Sequence, residues 1–136
     1  MSNKPFKVLL VEKDDQDMVH IDEMLNKSEI AEFELIHTQR LESALVYVNN
    51  EKFDIILLDL CLPDCVGLNS FKAILNENHN IPIVLLNSLA NEDMGIEAIK
   101  YGAQDNLVKG EFNGKLLARS LQYAIERKKI EGLFNY

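Results

Sequence analysis

Ile55-Ile56-Leu57-Leu58-Asp59, an aliphatic run ending on an acid, decides how this chain folds. A short continuous apolar run without polar alternation predicts a parallel strand covered by helices on both faces. Ile83-Val84-Leu85-Leu86 repeats the pattern, and both runs belong in the centre of a sheet. Outward from them, apolar clusters centred on Leu9, Leu35, Leu57, Leu85 and Leu107 recur at near-even spacing, with a helix-period segment in each gap. Five βα units follow, giving an α/β doubly wound domain with a five-stranded parallel sheet and helices on both faces. Phe33 to Thr38 carries Glu34, His37 and Thr38 among its apolar residues, which suits an edge strand. The expected strand order is 2-1-3-4-5.

The helical segments are specified by their stripes. Met18, Ile21, Met24 and Leu25 line the first helix, with Asp14 and Asp15 as cap candidates and a stop at Lys27-Ser28. Leu41, Ala44, Leu45 and Val48 serve the second, and Leu68, Phe71, Ile74 and Leu75 the third. The fourth, about Asn91 to Tyr101, holds Gly95 in its interior, which costs roughly 1 kcal/mol relative to alanine and marks it as the least stable helix. The fifth begins near Gly114 and carries Leu116, Leu117, Leu121, Ala124 and Ile125; Lys128-Lys129 then interrupts the stripe before Ile130, Leu133 and Phe134. Residues 1–136 read as a single domain, with 128–136 a helical extension or linker.

Composition narrows the function. Lys and Arg number 14 against 22 Asp and Glu, and the net charge of −8 disfavours non-specific binding of nucleic acid or anionic lipid. Arg119, Arg127, Lys128 and Lys129 on the last helix therefore read as solvated rather than DNA-reading. No aliphatic run is long enough to span a bilayer, and Met1-Ser2-Asn3-Lys4 lacks a signal-peptide core, so a cytoplasmic protein is expected. Cys61 and Cys65 have no further cysteine to build a disulfide framework or zinc site with, and His20, His37 and His79 show no ligand spacing.

In an open parallel sheet, ligands gather beyond the carboxyl ends of the strands. The first strand ends at Glu12-Lys13-Asp14-Asp15, the third at Asp59, the fourth at Asn87-Ser88 and the fifth at Lys109. Two acids and a lysine thus converge from separate segments. No G-x-G-x-x-G turn or P-loop follows the first strand, which excludes a glycine cradle for phosphates.

Leu58-Asp59-Leu60-Cys61-Leu62-Pro63-Asp64-Cys65-Val66-Gly67, preceded by Val11-Glu12 and followed by Gly102-Ala103-Gln104-Asp105-Asn106-Leu107-Val108-Lys109-Gly110, resembles the receiver domain of bacterial two-component response regulators. The resemblance implies a flavodoxin-like, CheY-like fold and a phosphoacceptor role. Asp59 would take a phosphoryl group from a histidine kinase or phosphotransfer protein. Glu12, Asp59 and the backbone carbonyl of Cys61 occupy the family's magnesium positions, and Lys109 would pair with Asp59 and then with the phosphoryl oxygens. The chain would signal rather than turn over substrates. It would contact an output domain or partner protein through the fourth helix, fifth strand and fifth helix, a face that also suits a homodimer.

Four residues depart from the family pattern. Lys13 replaces an acid that contacts the metal; it is either a tethered substitute cation or extends into water, with Asp14 or Asp15 as the replacement ligand. By formal count, Glu12 and Asp59 against Lys13 and Lys109 make the pocket neutral before any magnesium arrives. Asn87 stands for a hydroxyl residue that bonds the phosphoryl group, Asn106 for an inward-rotating aromatic whose apolar slot it cannot fill, and Gly110 for the proline after the lysine. These changes leave a degenerate receiver, working by protein contacts alone, as the alternative. An aspartyl phosphohydrolase would want a second acid two residues after Asp59, where Cys61 sits.

Overall fold

Five parallel strands form one sheet in the computed structural model, which describes residues 4–134: β1 Phe6–Val11, β2 Phe33–Thr38, β3 Ile55–Asp59, β4 Ile83–Asn87 and β5 Asp105–Val108. Their order is β2-β1-β3-β4-β5, as the polarity of β2 and the apolarity of β3 and β4 require. Val8 pairs with Leu35 on one side and Ile55 on the other, Leu58 with Leu85, and Leu86 with Leu107. Every residue of β3 and β4 is buried.

Alternate side chains divide the core into two layers. Leu9, Val11, Ile56, Leu58, Ile83 and Leu85 pack against α2 (Leu41–Asn50), α3 (Leu68–Glu77) and α4 (Glu92–Lys100). Val8, Leu10, Ile55, Leu57, Val84, Leu86 and Leu107 pack against α1 (Asp15–Asn26) and α5 (Gly114–Phe134). The expected stripes supply the helix faces: Ile21 and Leu25, Ala44 and Val48, Phe71 and Ile74, and Leu117, Leu121, Ala124 and Ile125 are all buried.

Leu116 corrects the expected stripe of α5. It is 47% exposed, because Leu117, Leu121, Ala124 and Ile125 already complete the inward face and Leu116 lies about 100° away. The helix continues through Lys128-Lys129 to Phe134, with Ile130 and Leu133 facing solvent. Arg127 ties this half to the domain by donating from Nε to Gln104 Oε1 (3.0 Å) and from Nη2 to Gln104 O (3.1 Å). Residues 135–136 of the expected extension lie outside the described residues. No described helix is long and apolar enough to cross a membrane.

The fourth helix has nearly its expected bounds, with Gly95 in its interior. A short 3-10 turn, Leu89–Asn91, precedes the helix, and Gly95 is buried. A Cβ at Gly95 would lie 2.3 Å from Asn106 Cγ, so the glycine makes room for the Asn106 amide. Asn106 Oδ1 is buried there without a hydrogen-bond partner.

Beyond β3 lies an element that hydrophobic periodicity does not reveal, a two-stranded antiparallel ribbon of Cys61–Leu62 and Cys65–Val66 turning across Pro63-Asp64. Gly67 closes it with a φ of +86°, favoured by glycine, and its amide donates to Leu60 O at 2.7 Å. Asp64 reaches from the ribbon to the start of α2, where Arg40 offers no side-chain cap. Its Oδ1 and Oδ2 accept from Leu41 N and Glu42 N, each at 2.9 Å. Desolvation opposes ionisation of this carboxyl, but the Glu42 and Leu41 amides, with its own amide and the Arg40 charge, outweigh it and hold the Asp64 pKa below the usual range.

Candidate functional site

Glu12, just past β1, is held by backbone on two sides. Its amide donates to Thr38 O at 2.9 Å, and its carbonyl accepts from His37 Nε2 at 2.7 Å. The side chain is fully buried, and Oε2 accepts from Asp14 N at 3.0 Å. Asp59, the last residue of β3, is 3% exposed; its Oδ1 accepts from Cys61 N at 2.9 Å. Lys109 follows β5 and is fixed by its own amide, which donates to Asn87 O at 2.8 Å. Gly110, at φ +84°, turns the chain away behind it.

The Lys109 ammonium draws these segments together. Nζ donates to Asp59 Oδ2 at 2.9 Å and to Asp17 Oδ2 at 3.0 Å, and it lies 2.7 Å from Glu12 Oε1. The contact with Glu12 is an ion pair without hydrogen-bond geometry, leaving Oε1 a buried oxygen that accepts no hydrogen bond. Burial pushes the Glu12 carboxyl up, to about 7; the neighbouring Asp59 adds to the rise, while Lys109 and the Asp14 amide oppose it. Burial pulls the other way on Lys109, but Glu12, Asp59 and Asp17 outweigh it, and the side chain stays an ammonium.

Asp17 is the residue the sequence reading missed. With Asp14 as N-cap, its Oδ1 accepting from Gln16 N (2.8 Å) and Asp17 N (3.0 Å), Asp17 is the third residue of α1. The first turn of a helix starting at a strand end borders the mouth, so the Asp-x-x-Asp spacing was the available signal. Asp14 and Asp15 do not serve the site: one caps the helix, and the other accepts from Gln39 Nε2 at 2.7 Å. Lys13 is exposed, without an ion pair among the described residues, so the neutral pocket is corrected. Three carboxylates and one ammonium leave the mouth at −2 when all are ionised.

Asn87 lies at the end of β4, 2% exposed, but its side chain serves its own loop. Nδ2 donates to Asn91 O at 2.7 Å, and Oδ1 accepts from Ser88 N at 3.0 Å. Cys61 sits beside Asp59 through its backbone, with a half-buried free thiol, as is that of Cys65. No three His, Cys, Asp or Glu side chains among the described residues form a ready coordination sphere; the Lys109 ammonium stands where these carboxylates meet.

The response regulator receiver domain model matches residues 8–121. Regulatory protein LuxO of Vibrio cholerae serotype O1 is 36% identical over 66 residues, which are 48% of this chain and 14% of that protein. Transcriptional regulatory protein CusR of Escherichia coli K12 is 36% identical over 67 residues, 49% of this chain and 30% of that protein. The chain thus matches well under half the length of these relatives. Its fold superposes on the signal receiver domain of a putative LuxO repressor protein from Vibrio parahaemolyticus with a TM-score of 0.82, at 23% identity, covering 98% of this chain and 99% of that one. The receiver domain of a sensor histidine kinase from Pseudomonas aeruginosa PAO1, solved with magnesium coordinated in its active site cleft, gives 0.77 at 24% identity, covering 90% and 99%. The family match runs unbroken from β1 through the aspartate-bearing strand to the lysine-bearing turn and into α5, and on that ground the chain belongs to the response regulator receiver domains of two-component signalling.

Proposed function

We propose that Asp59 is a phosphoacceptor, taking a phosphoryl group from a phosphohistidine of a kinase or phosphotransfer protein. One observation carries the reading: the carboxylate at the end of β3 has Oδ2 2.9 Å from the only ammonium in this mouth among the described residues. In the transfer, an Asp59 oxygen forms the new bond to phosphorus, while the phosphorus–nitrogen bond of the donor breaks and the imidazole leaves with the electron pair. The product is an acyl phosphate. Lys109 moves with its flexible stem from the free carboxylate to the new phosphoryl oxygens, and the Cys61 amide keeps Asp59 oriented. This is a self-directed reaction of a signalling protein, not turnover of a substrate.

Receiver domains bind magnesium, and the residues here suit it: the donors are hard oxygens, and Glu12 Oε1 is a buried acceptor without a hydrogen bond. Glu12, Asp59 and the Cys61 carbonyl would hold the ion, which when bound neutralises charge on the transferring group. A kinase or phosphotransfer protein is the upstream partner, and an output domain or partner protein reads α4, β5 and α5.

Intact mass after incubation with a small phosphodonor tests the reading. The wild type is expected to gain one phosphoryl group, and Asp59→Asn none. Labelling that persists in Asp59→Asn sinks the assignment; no labelling of the folded wild type leaves a receiver that works by contact alone.

A further inference from the structure

Position 13 carries a lysine where the family pattern calls for a metal-facing acid, and that lysine points into solvent. The two acids next to it are engaged elsewhere, Asp14 in capping α1 and Asp15 in binding Gln39. Asp17, one helical turn further along, is the acid that turns inward, with Oδ2 3.0 Å from the same Lys109 Nζ that meets Asp59 and Glu12. Its side chain is 45% exposed, so the carboxylate keeps the freedom to reorient. Independently, Glu12 Oε1 belongs to a fully buried side chain, accepts no hydrogen bond and is aimed at the same point.

We propose that Asp17 supplies the acid missing at position 13 and completes the magnesium-holding set with Glu12 and Asp59. The inference rests on the reading of this mouth as a phosphoryl-accepting site and concerns which residue completes it. Magnesium is held by one or two carboxylates and keeps several waters. A third carboxylate at the rim therefore adds affinity without closing a cage. It also offsets the Lys109 charge, which otherwise opposes a dication at close range.

Calorimetric titration with magnesium chloride tests it on the whole chain, with circular dichroism confirming that each variant is folded. Asp17→Asn is expected to weaken magnesium binding about tenfold, in the range for a group that supports a metal site. Asp15→Asn, the same charge change on the same helical turn, is expected to bind as the wild type does. Adding Lys13→Asp to Asp17→Asn is expected to restore the affinity, which a merely structural role for Asp17 would not allow. Wild-type affinity in Asp17→Asn, an equal loss in Asp15→Asn, or no magnesium binding by the wild type overturns the inference. Phosphoryl labelling of Asp59 judges the underlying reading separately, because it is scored by mass and not by metal affinity.

Discussion

Replacing Gly95 with alanine tests how α4 meets β5. In an unobstructed helix interior that change stabilises by roughly 1 kcal/mol, since alanine has less backbone freedom to lose. At position 95 the added Cβ would stand 2.3 Å from Asn106 Cγ and Nδ2 and 2.5 Å from Oδ1, so the whole amide must leave. The helix cannot readily yield instead, because Ala98 on the same helix is fully buried against the sheet. Overfilling a packed site costs about 1–3 kcal/mol. Asn106 is a short side chain on an edge strand, and turning it outward lets its unpartnered Oδ1 reach water, which puts the cost at the low end. Set against the propensity gain, Gly95→Ala alone is expected to destabilise by about 0–1 kcal/mol. In an Asn106→Ala background the obstruction is gone, and the same change is expected to stabilise by roughly 1 kcal/mol. The decisive quantity is the coupling, ~1–2 kcal/mol, within the range for residues in contact. Urea unfolding of the four proteins by circular dichroism measures it, provided the slope m stays constant. Equal stabilisation in both backgrounds would mean that Asn106 does not fill the space over Gly95, and the reasoning would fail.

Asp64→Ala removes the cap of α2 and is expected to cost about 1 kcal/mol, with faster hydrogen exchange at the Leu41 and Glu42 amides; unchanged exchange there would contradict the capping role. Glu12 titrates at about 7 in the fold, above its ordinary value near 4.5, so the folded state binds this proton more tightly than the unfolded chain. The stability it contributes is full below pH 4.5 and is lost as pH rises through 7. Glu12→Gln cannot titrate, so in chelator its stability relative to wild type should rise across that window, on the order of 3 kcal/mol. A difference that stays flat with pH would refute the buried, proton-retaining carboxyl.

The fold was legible because its signals are redundant. Ile55 to Leu58 and Ile83 to Leu86 could be accommodated only between two helical layers, and the polar β2 had only an edge to occupy. What failed was single-residue phase. Leu116 and Leu117 are both apolar neighbours at the start of α5, and only packing selects Leu117 for the interior. The Cys61–Val66 ribbon escaped because two-residue strands have no periodicity to read; it is held by one antiparallel turn and the Gly67 amide. Gly95 read as a weakness because propensity describes a helix alone, whereas its reason lies on β5.

The site was legible in its members at the strand ends and obscure in its helix-borne one, and the difference is what each polar group bonds to. Asp14, Asp15 and Asn87 sit as near the mouth in sequence as Glu12 and Lys109 do, but Asp14 and Asn87 bond the backbone of their own segment, and Asp15 bonds Gln39. Glu12, Asp17, Asp59 and Lys109 instead reach across from four separate elements to one point. Just past β1, Glu12 is buried and Lys13 exposed, so the chain beyond the strand end turns the first of them to the mouth. A helix start fixes such directions only once the capping residue is known. With Asp14 in that place the third helical residue faces the mouth, and a lysine at position 13 ceases to be a missing acid: the negative charge has moved from the loop before α1 into its first turn, to a side chain that the rim leaves half exposed.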